Sequence, residues 1–480
     1  MQEQELKILV EEIRRQHTEK QTVELKACHE GFPRKIYDTL SSFSNQDDGG
    51  VIIFGIAEKN NFEVTGVYDA EDAQKKAMEA CNQMEPKVRA VFTSCEIDGK
   101  MVLSAEIPGV DVSLRPVFYA GAGRIKGSFI RVGDADELMS EYEIYSYEAY
   151  RSRIRDELRP IPEAALTMFS QDKLTEYLDA VKNERPNLSK NVTDTDILEL
   201  MGITVNGIPT LAGVMVFSLY PQAWFPQLCI TAISVPGTEL GETDDDGARF
   251  LDNQRITGTI PDMLEEAVAF VRKNSRTKTI INDEGKRIDR SEYPLPAIRE
   301  AILNALIHRD YSIYTENTPI CIEMYRDRIV IISKGGLYGG GSVSQLGQGR
   351  PETRNPAITN MLELLKISEN RYSGIPTIYR ELDKAGLPKP DFEIIRGTFQ
   401  VTFRNHSDQP AAPLHKENLT DAILNYCRTP RTRDELTALT GKSRYYTMAA
   451  IIQPLIQQGK LRMTIPDKPK SSKQRYVTAE

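Results

Sequence analysis

Short apolar runs and amphipathic stretches alternate along the first third of the chain. The segment QELKILVEEIRRQ repeats its apolar residues with the period of a helix. The segments TVELKA, VIIFGIA, VRAVFTSCEI, MVLSAEIP and GSFIRVG are short and rich in Val, Ile and Phe, with Gly and Asp at their ends, which is typical of strands. This pattern predicts a mixed α/β domain over residues 1–155.

The pattern changes after RIRDELRPIPEAAL, where Pro160 and Pro162 end a charged helix. Apolar strand and helix segments then predict a connecting α/β region over residues 156–285. Next come a long helix in YPLPAIREAILNALIHRDYS, a β-hairpin in PICIEMYRDRIVIISKG, two helices and the strand GTFQVTF. This order predicts a second α/β domain over residues 286–407.

A polar stretch that contains prolines, RNHSDQPAAPLHKENLT, separates that strand from the C-terminal segment. The segments DAILNYCR, RDELTALTG and SRYYTMAAIIQPLIQQG predict three helices, and Thr432 and Ser443 suit the N-caps of the second and third. The last segment, KLRMTIPDKPKSSKQRYVTA, predicts a strand, a basic loop and a strand. Residues 408–480 are therefore predicted to be a linker and a winged helix-turn-helix.

Length and composition agree with a multidomain α/β protein that is not exported. A chain of 480 residues has material for three or four domains, and no apolar run approaches the roughly 18 residues of a membrane span. The charged start has no signal-peptide pattern. The six cysteines include no CxxC pair, and the five histidines lack metal-ligand spacing. We expect a cytoplasmic protein without membrane contact, disulfides or zinc.

The net charge of −9 is unevenly distributed along the chain. Residues 415–480 hold six Lys, six Arg and six Asp or Glu, a local balance of +6, so the preceding residues carry −15. The total argues against a nucleic-acid partner, but the C-terminal segment has the positive charge that phosphate binding requires.

A candidate site in the first domain begins with Glu24 and Lys26, which are two residues apart in a predicted strand and therefore share one face. Glu19 precedes this strand, and Glu58 follows the strand VIIFGI. Three carboxylates and a lysine at one sheet edge would suit Mg²⁺ or Mn²⁺ and the orientation of an attacking water. A solvated strand face has the same pattern, so the spacing alone leaves both interpretations open.

The segment EKQTVELKACHEGFPRKIYDTLSSFSNQDDGGVIIFGI resembles the Schlafen-type AlbA domain. That family has a Glu, five residues later Glu-Phe-Lys, then a helix, Ala-Phe-Ala-Asn-Thr-x-Gly-Gly and a strand ending in Gly-Val. RPVFYAGAGRIKGSFIRVG is similar to the end of the domain, and the resemblance covers roughly residues 15–140. The matching positions are Glu19, Glu24, Lys26, Phe43, Asn45, Gly49, Gly50 and Gly55.

The resemblance implies nucleic-acid binding and, in the nuclease members, a metal site with three carboxylates. Glu19 and Glu24 match two of these positions, and Glu58 stands near the third, where the family has aspartate. The turn from Asn45 to Gly50 would suit a phosphate because its glycines leave N–H groups unobstructed. An ordinary tight turn before a buried strand has the same sequence.

In the long predicted helix, Glu300, Asn304 and His308 recur every four residues and so lie on one side. A solvated face gives the same spacing. The segments REAILNALIHRDYS, ISKGGL, RNPAI and SGIPTI, however, resemble the ATP-binding domain of the GHKL superfamily, which includes gyrase, chaperone, histidine kinase and mismatch-repair ATPases. The resemblance implies that Glu300 activates water and that Asn304 holds Mg²⁺ beside ATP.

The remaining members of this implied nucleotide site are His308, Gly335, Gly336 and Gly374. Two positions depart from active GHKL proteins. Ser333 stands where those proteins have the aspartate that reads adenine, and Tyr372 replaces the first glycine of Gly-Thr-Gly. Both departures weaken the prediction of ATP binding, and they weaken the prediction of ATP hydrolysis further.

Basic and aromatic residues concentrate in the predicted winged helix. They are Lys442, Arg444 and Tyr445 at the start of the predicted recognition helix, and Lys468, Lys470, Lys473 and Arg475 in the wing. Such clusters contact the phosphates of duplex DNA. Winged helices also serve as dimer or protein-docking modules, and the sequence leaves that alternative open.

The sequence therefore predicts a homo-oligomeric DNA-binding transcriptional regulator with a degenerate nucleotide domain. One alternative is a Schlafen-like nuclease that uses Mg²⁺ or Mn²⁺ to cut RNA or DNA, for example in phage defence. A further alternative is a GHKL-type ATPase.

Overall fold

The computed structural model describes residues 1–18, 21–281, 287–339, 343, 346–348, 352–368, 373–405, 423–424, 426–440, 447–457, 459–464 and 474–478. The chain forms two compact units. One contains Met1–Tyr325 and Ile329–Phe403, and the other contains Arg326–Arg328 and Arg404–Glu480.

Helices and short strands alternate in the first part of the chain, as the hydrophobic pattern predicts. The elements are α1 (Glu3–Gln16), β1 (Val23–Lys26), α2 (Tyr37–Ser44), β2 (Gly50–Phe54), β3 (Ile56–Ala57), β4 (Glu63–Val64), α3 (Ala70–Asn82), β5 (Met84–Glu85), β6 (Val91–Ile97), β7 (Lys100–Ile107), β8 (Phe118–Tyr119), α4 (Gly123–Gly127), β9 (Phe129–Val132), β10 (Ala135–Leu138) and α5 (Glu141–Arg151). Four of the strands form a sheet in the order β1-β2-β7-β6, in which β1 and β2 are parallel.

The two faces of this sheet cover different cores. Val23 and Leu25 of β1 pack with α1, whose Leu6 and Val10 recur at helical spacing. The other face packs against α2 and α3 through residues that include Ile52 of β2. Side chains alternate along a strand, and Glu24 is in register with Ile52. The face that carries Glu24 and Lys26 is therefore the α2 side.

A second part of the same compact unit contains a six-stranded sheet. Its elements are α6 (Gln171–Glu184), α7 (Pro186–Asn191), α8 (Asp194–Leu200), β11 (Thr204–Val205), β12 (Ile208–Pro209), α9 (Leu211–Phe217), β13 (Ile230–Ser234), β14 (Asp252–Ile256), α10 (Ile260–Asn274), β15 (Thr277–Ile281), β16 (Arg287–Ser291), α11 (Leu295–His308), β17 (Ile320–Met324), β18 (Arg328–Lys334), α12 (Pro356–Leu364), α13 (Gly374–Ala385), β19 (Asp391–Ile395) and β20 (Thr398–Arg404). The strand order of the sheet is β14-β13-β17-β18-β20-β19.

One apolar core runs through this second part, from Ile161 to Phe403. The predicted hairpin is present as β17 and β18, which pair antiparallel. On its other side β17 pairs in parallel with β13, which pairs with β14, so both of these strands share the sheet with the hairpin. The prediction of a multidomain α/β protein is confirmed, whereas the boundaries proposed from the sequence stay a prediction.

The C-terminal unit has a small core of its own, which includes Ile423, Leu436, Leu461 and Tyr476. Its described elements are α14 (Arg433–Thr440), a π-helix (Thr447–Ile452), α15 (Gln453–Gln457), β21 (Leu461–Met463) and β22 (Tyr476–Thr478). The hydroxyl of Thr432 accepts a hydrogen bond from the Glu435 N–H at 3.2 Å, which confirms the predicted N-cap. Ser443 lies outside the described residues, and the winged helix stays a prediction.

None of the helices in the described ranges is both long enough and apolar enough to cross a membrane. All six cysteines carry free thiols, and five of them are buried.

Candidate functional sites

Glu24 and Lys26 share one face of β1, as their spacing predicts. The Lys26 Nζ donates to Glu24 Oε1 at 2.5 Å. The other carboxylate oxygen, Glu24 Oε2, lies 3.0 Å from a guanidinium nitrogen of Arg131. Glu24 is thus held between two cations, of which the sequence indicated only Lys26.

Arg131 of β9 is the centre of a buried ion network. Its side chain is 1% exposed and lies 2.9 Å from Asp136 of β10. Asp136 in turn accepts hydrogen bonds from Thr39 at 2.7 Å and from Ser42 at 2.5 Å, both on α2. The network therefore connects β1, the β9–β10 hairpin and α2. Its charges are compensated, as buried charges must be.

Asp38 and Asp136 supply carboxylates near Glu24 that the sequence analysis missed. Burial raises the pKa of Asp38, and the neighbouring charge of Asp136 raises it further, while Lys35 and Lys26 act in the opposite direction. The sequence did contain a signal for Arg131 and Asp136. The two residues lie on either side of the turn at Gly133, and they are directly opposite each other in the β9–β10 hairpin.

The predicted three-carboxylate metal site is not assembled in the part of the chain that the structure describes. Glu58 is exposed in a 3-10 turn after β3, and Glu19 lies outside the described residues. No group of three or more His, Cys, Asp or Glu side chains there has an arrangement that would hold a metal ion. The structure does not support Mg²⁺ or Mn²⁺ at this site, and the roles of Glu19, Glu24 and Glu58 stay predictions.

The turn from Asn45 to Gly50 has a structural explanation. The Asn45 amide donates to the carbonyls of Val117 at 2.9 Å and Phe129 at 3.1 Å, and its oxygen accepts from the Val117 N–H at 2.7 Å. A β-carbon at Gly50 would overlap the ring of Phe43. These contacts favour the ordinary tight turn over a phosphate-binding one.

In the second part, Glu300 and Asn304 lie one turn apart on α11 and face the start of α13. The Asn304 amide donates to Glu300 Oε1 at 3.3 Å. A β-carbon added at Gly374, the first residue of α13, would lie 2.5 Å from the same oxygen. The Glu300 carboxylate thus lies against the positive end of a helix, which is a favourable position for a negative charge.

The contact between the Glu300 carboxylate and Gly374 determines how well these residues fit a nucleotide. In the arrangement implied by the GHKL resemblance, the phosphates of ATP lie beside the glutamate, the asparagine and the glycine-led helix. Here the carboxylate of Glu300 itself takes the position next to Gly374. The residues therefore do not fit metal-assisted hydrolysis of ATP at this place. Tyr372 lies outside the described residues.

His308 ends α11 and is exposed to solvent. Partial desolvation by the protein atoms around its ring lowers its pKa, and the positive charge of Arg354 lowers it further. The imidazole is consequently neutral at pH 7. His308 lies about two helical turns after Glu300, about 12 Å along the helix axis. The three predicted side chains, Glu300, Asn304 and His308, are therefore spread along α11.

Asp310, directly after α11, brings together three segments that the sequence analysis singled out. Its carboxylate lies 2.9 Å from Arg354 of the RNPAI segment and accepts from the Ser312 N–H at 2.8 Å. Its backbone N–H donates to Lys334 in the ISKGGL segment at 2.7 Å. Gly335 has φ +112°, and a β-carbon there would lie 2.9 Å from the Asp310 nitrogen, so only glycine suits this approach.

Helix α5 lies over this glycine segment. The Tyr142 hydroxyl donates to Asp310 at 3.3 Å, and burial raises the pKa of Tyr142. A β-carbon at Gly397, in the β19–β20 turn, would lie 2.5 Å from the Tyr142 ring. Tyr150 stacks edge-on against Tyr338 with ring centres 5.0 Å apart. Gly335 and Gly336, predicted to contact a nucleotide, are thus close to protein side chains.

In the C-terminal unit the structure describes one of the predicted DNA-binding residues. Arg475 is exposed directly before β22, and its backbone N–H donates to the Thr464 hydroxyl at 3.1 Å. The others, Lys442, Arg444, Tyr445, Lys468, Lys470 and Lys473, lie outside the described residues.

Two segments of the chain match protein-family models. Residues 19–140 match the Schlafen, AlbA_2 family, and residues 317–403 match the family described as "Putative ATP-dependent DNA helicase recG C-terminal". Both resemblances found in the sequence are therefore confirmed for these segments. No curated protein matches the chain.

Among solved structures, the chain is similar to the DIP2311 protein from Corynebacterium diphtheriae, with 15% identity, 99% of each chain covered and a TM-score of 0.38. It is also similar to the N-terminal domain of a protein from Nitrosomonas europaea described as "Putative ATP-dependent DNA Helicase RecG-related Protein". That match has 21% identity and a TM-score of 0.22, and it covers 28% of this chain and 94% of that domain.

Proposed function

We propose that this protein is a nucleic-acid-binding regulator that acts by binding rather than by cutting. The observation that carries the proposal is the position of Glu24 between Lys26 and Arg131. A metal ion at Glu24 would have to displace a buried guanidinium, which would leave Arg131 without one of its two partners. Breaking a buried ion pair in this way is costly. The site therefore suits a structural role better than metal catalysis.

The family matches support the nucleic-acid partner. One match is to the Schlafen AlbA_2 family and the other to a family named after the C-terminal part of a DNA helicase. We assign duplex DNA to the C-terminal unit because its segment from residue 415 carries +6 within an acidic chain. The second sheet acts in this proposal as a scaffold, since Glu300 occupies the helix end that a nucleotide phosphate would need.

Duplex binding is tested by changing Lys470, Lys473 and Arg475 together to alanine. We expect weaker binding to all duplex sequences and a fall of about 3 in the salt slope, because three phosphate contacts are lost. The control replaces three exposed basic residues elsewhere, Lys75, Lys190 and Arg272, and should leave the slope unchanged. An unchanged affinity and slope in the first variant would disprove the assignment.

The scaffold role is tested by titrating ATP with Mg²⁺ into the full chain in a calorimeter. We expect no heat of binding and no release of phosphate. Saturable binding with hydrolysis that is lost in Glu300→Gln would instead establish the ATPase alternative. The subunit number stays a prediction that sedimentation of the same sample measures.

A second candidate function is a divalent-metal nuclease, which the Lys26 amine near the carboxylates of Glu24 and Asp38 favours. The test incubates the protein with Mg²⁺ or Mn²⁺ and with RNA, single-stranded DNA or duplex DNA. The matched variants are Glu24→Gln and, as a control at an exposed site, Glu79→Gln. Cleavage that disappears only in Glu24→Gln would replace the binding proposal, and no cleavage by the wild type would remove the nuclease.

A further inference from the structure

Two tyrosines form a half-exposed stack on the first part of the chain. The rings of Tyr37, which begins α2, and Tyr119, at the end of β8, are 3.9 Å apart between centres and 18° from parallel. Both side chains keep part of their surface in solvent. The Tyr37 hydroxyl donates to the Gln83 side chain at 3.0 Å. Neither ring has a part in the ion network around Arg131.

The backbone around Tyr119 fixes the stack in place. Tyr119 pairs with Met84 of β5, and the next N–H, of Ala120, donates to the Gln83 carbonyl at 3.0 Å. A β-carbon at Gly121 would lie 2.5 Å from the end of the Tyr119 ring, so the chain passes directly against it. The ring is therefore ordered before any ligand arrives, which reduces the entropy cost of binding.

Six basic residues lie in the segments that meet at this stack. Arg34 and Lys35 precede Tyr37, and the other four are Lys87, Arg89, Arg124 and Lys126. Arg124 lies 5.8 Å from the centre of the Phe118 ring and 3.4 Å from Glu148. The other five are exposed, and within the described residues the structure pairs none of them with a carboxylate. In the sequence, the acids closest to these basic residues are Asp38 and Glu85.

This local surplus of positive charge contrasts with the −15 carried by residues 1–414. Ordered aromatic rings and neighbouring cations are the two features with which proteins bind single strands, since rings stack on bases and cations contact phosphates. A duplex keeps its bases stacked on one another and offers no free base to a tyrosine. The surface therefore fits a single strand.

We propose that Tyr37 and Tyr119, with Arg34, Lys35, Lys87, Arg89, Arg124 and Lys126, form a binding surface for single-stranded nucleic acid. This inference rests on the proposed nucleic-acid function and adds a second contact, separate from the C-terminal unit. A base packs against the exposed part of the tyrosine stack, and the cations bind the flanking phosphates.

The test measures fluorescence anisotropy of the full chain with labelled oligomers of about 12 nucleotides, of RNA and of DNA. Tyr119→Ala should weaken binding about 5- to 140-fold, the range expected for one lost stacked base, and Tyr119→Phe should bind like the wild type. Lys87→Ala with Arg89→Ala should lower the salt slope by about 1.4. The two oligomers decide between RNA and DNA as the ligand.

The matched control is Tyr68→Ala, because Tyr68 is also exposed and also lies beside a lysine, Lys76. It should leave the affinity unchanged. Circular dichroism checks that each variant is folded, and the Lys87 and Arg89 variants test the surface even if Tyr119→Ala fails to fold. Equal losses in Tyr68→Ala and Tyr119→Ala, or no loss in any variant, would overturn the inference.

The duplex assay separates this inference from the proposed function. Tyr119→Ala should leave duplex binding through the C-terminal unit intact. If the wild type binds duplex DNA but neither oligomer, the inference fails and the proposed function stands. If it binds no nucleic acid at all, both fail.

Discussion

Arg131 connects two carboxylates that lie far apart in the sequence, Glu24 and Asp136. The shared face of Glu24 and Lys26 followed from the two-residue period of a strand and is confirmed. The contact of Glu24 with Arg131 on β9 could not be predicted from the sequence, because periodicity describes one strand and gives no information about which distant strand lies beside it. The same limit explains why Asp38 and Asp136 were missed and why Glu58 was chosen from its position in the chain.

Removing the Arg131 guanidinium should destabilise the fold strongly. We expect Arg131→Met to lower the free energy of unfolding by about 3–5 kcal/mol, because the largely buried Asp136 loses its guanidinium partner and Glu24 keeps only Lys26. Denaturant unfolding measures the change. The control is Arg124→Met, which breaks the more exposed pair with Glu148 and should cost less than about 1 kcal/mol. Similar small losses in both variants would contradict the prediction.

The buried carboxyl group of Glu157 should make the free energy of unfolding depend on pH. Its side chain is fully buried, and burial raises its pKa from 4.5 to about 7 although the backbone N–H groups of Glu157 and Ala357 act in the opposite direction. Between these pH values the folded chain keeps a proton that the unfolded chain has lost. The contribution of Glu157 to the free energy of unfolding is therefore greatest at low pH. It falls by about 3 kcal/mol in all as the pH rises towards 7.

The measurement is the melting temperature from pH 5 to pH 8 for the wild type and Glu157→Gln. The variant should lose this part of the decline and be the more stable protein at pH 8. Glu184→Gln changes an exposed glutamate and should follow the wild type. Parallel curves for all three proteins would show that Glu157 does not cause the decline.

Among the elements, α5 is the one that covers the glycine segment after β18. The Gly335 N–H donates to the Gly397 carbonyl at 2.8 Å, directly beneath the Tyr142 ring. Tyr142→Ala should therefore raise the hydrogen-exchange rate of the Gly335 amide, because water gains access to this bond. The Tyr68→Ala variant is the control, and equal exchange in the two variants would show that α5 does not protect the segment.

Elements with strong local patterns were predicted correctly, and those that depend on distant partners were not. Helices α1 and α11 and the β17–β18 hairpin follow from periodicity and turn residues. The parallel pairing of β13 with β17 joins residues about 90 positions apart, which no local pattern reports. Strand β19 was missed because it is an edge strand whose residues are mostly exposed, so it lacks the usual alternation.

At the scale of the whole molecule, the two compact units should unfold separately. The C-terminal unit has a small core of its own, and a domain of this size is only marginally stable. Scanning calorimetry should show a small transition, with an enthalpy of about 50 kcal/mol, before the larger one. A chain that ends at Asn405 should retain only the larger transition. A single transition in the full chain would contradict this division.

The position of α5 limits where the chain can be divided into fragments. The match to the first family ends at residue 140, and α5 begins at Glu141. A fragment that stops at the end of the match would lack α5, whose Tyr142 and Tyr150 contact Gly397 and Tyr338 in the second part. A fragment that starts at residue 317, with the second match, would lack β13 and α11. Exchanges of segments between relatives should therefore keep residues 1–403 as a single block.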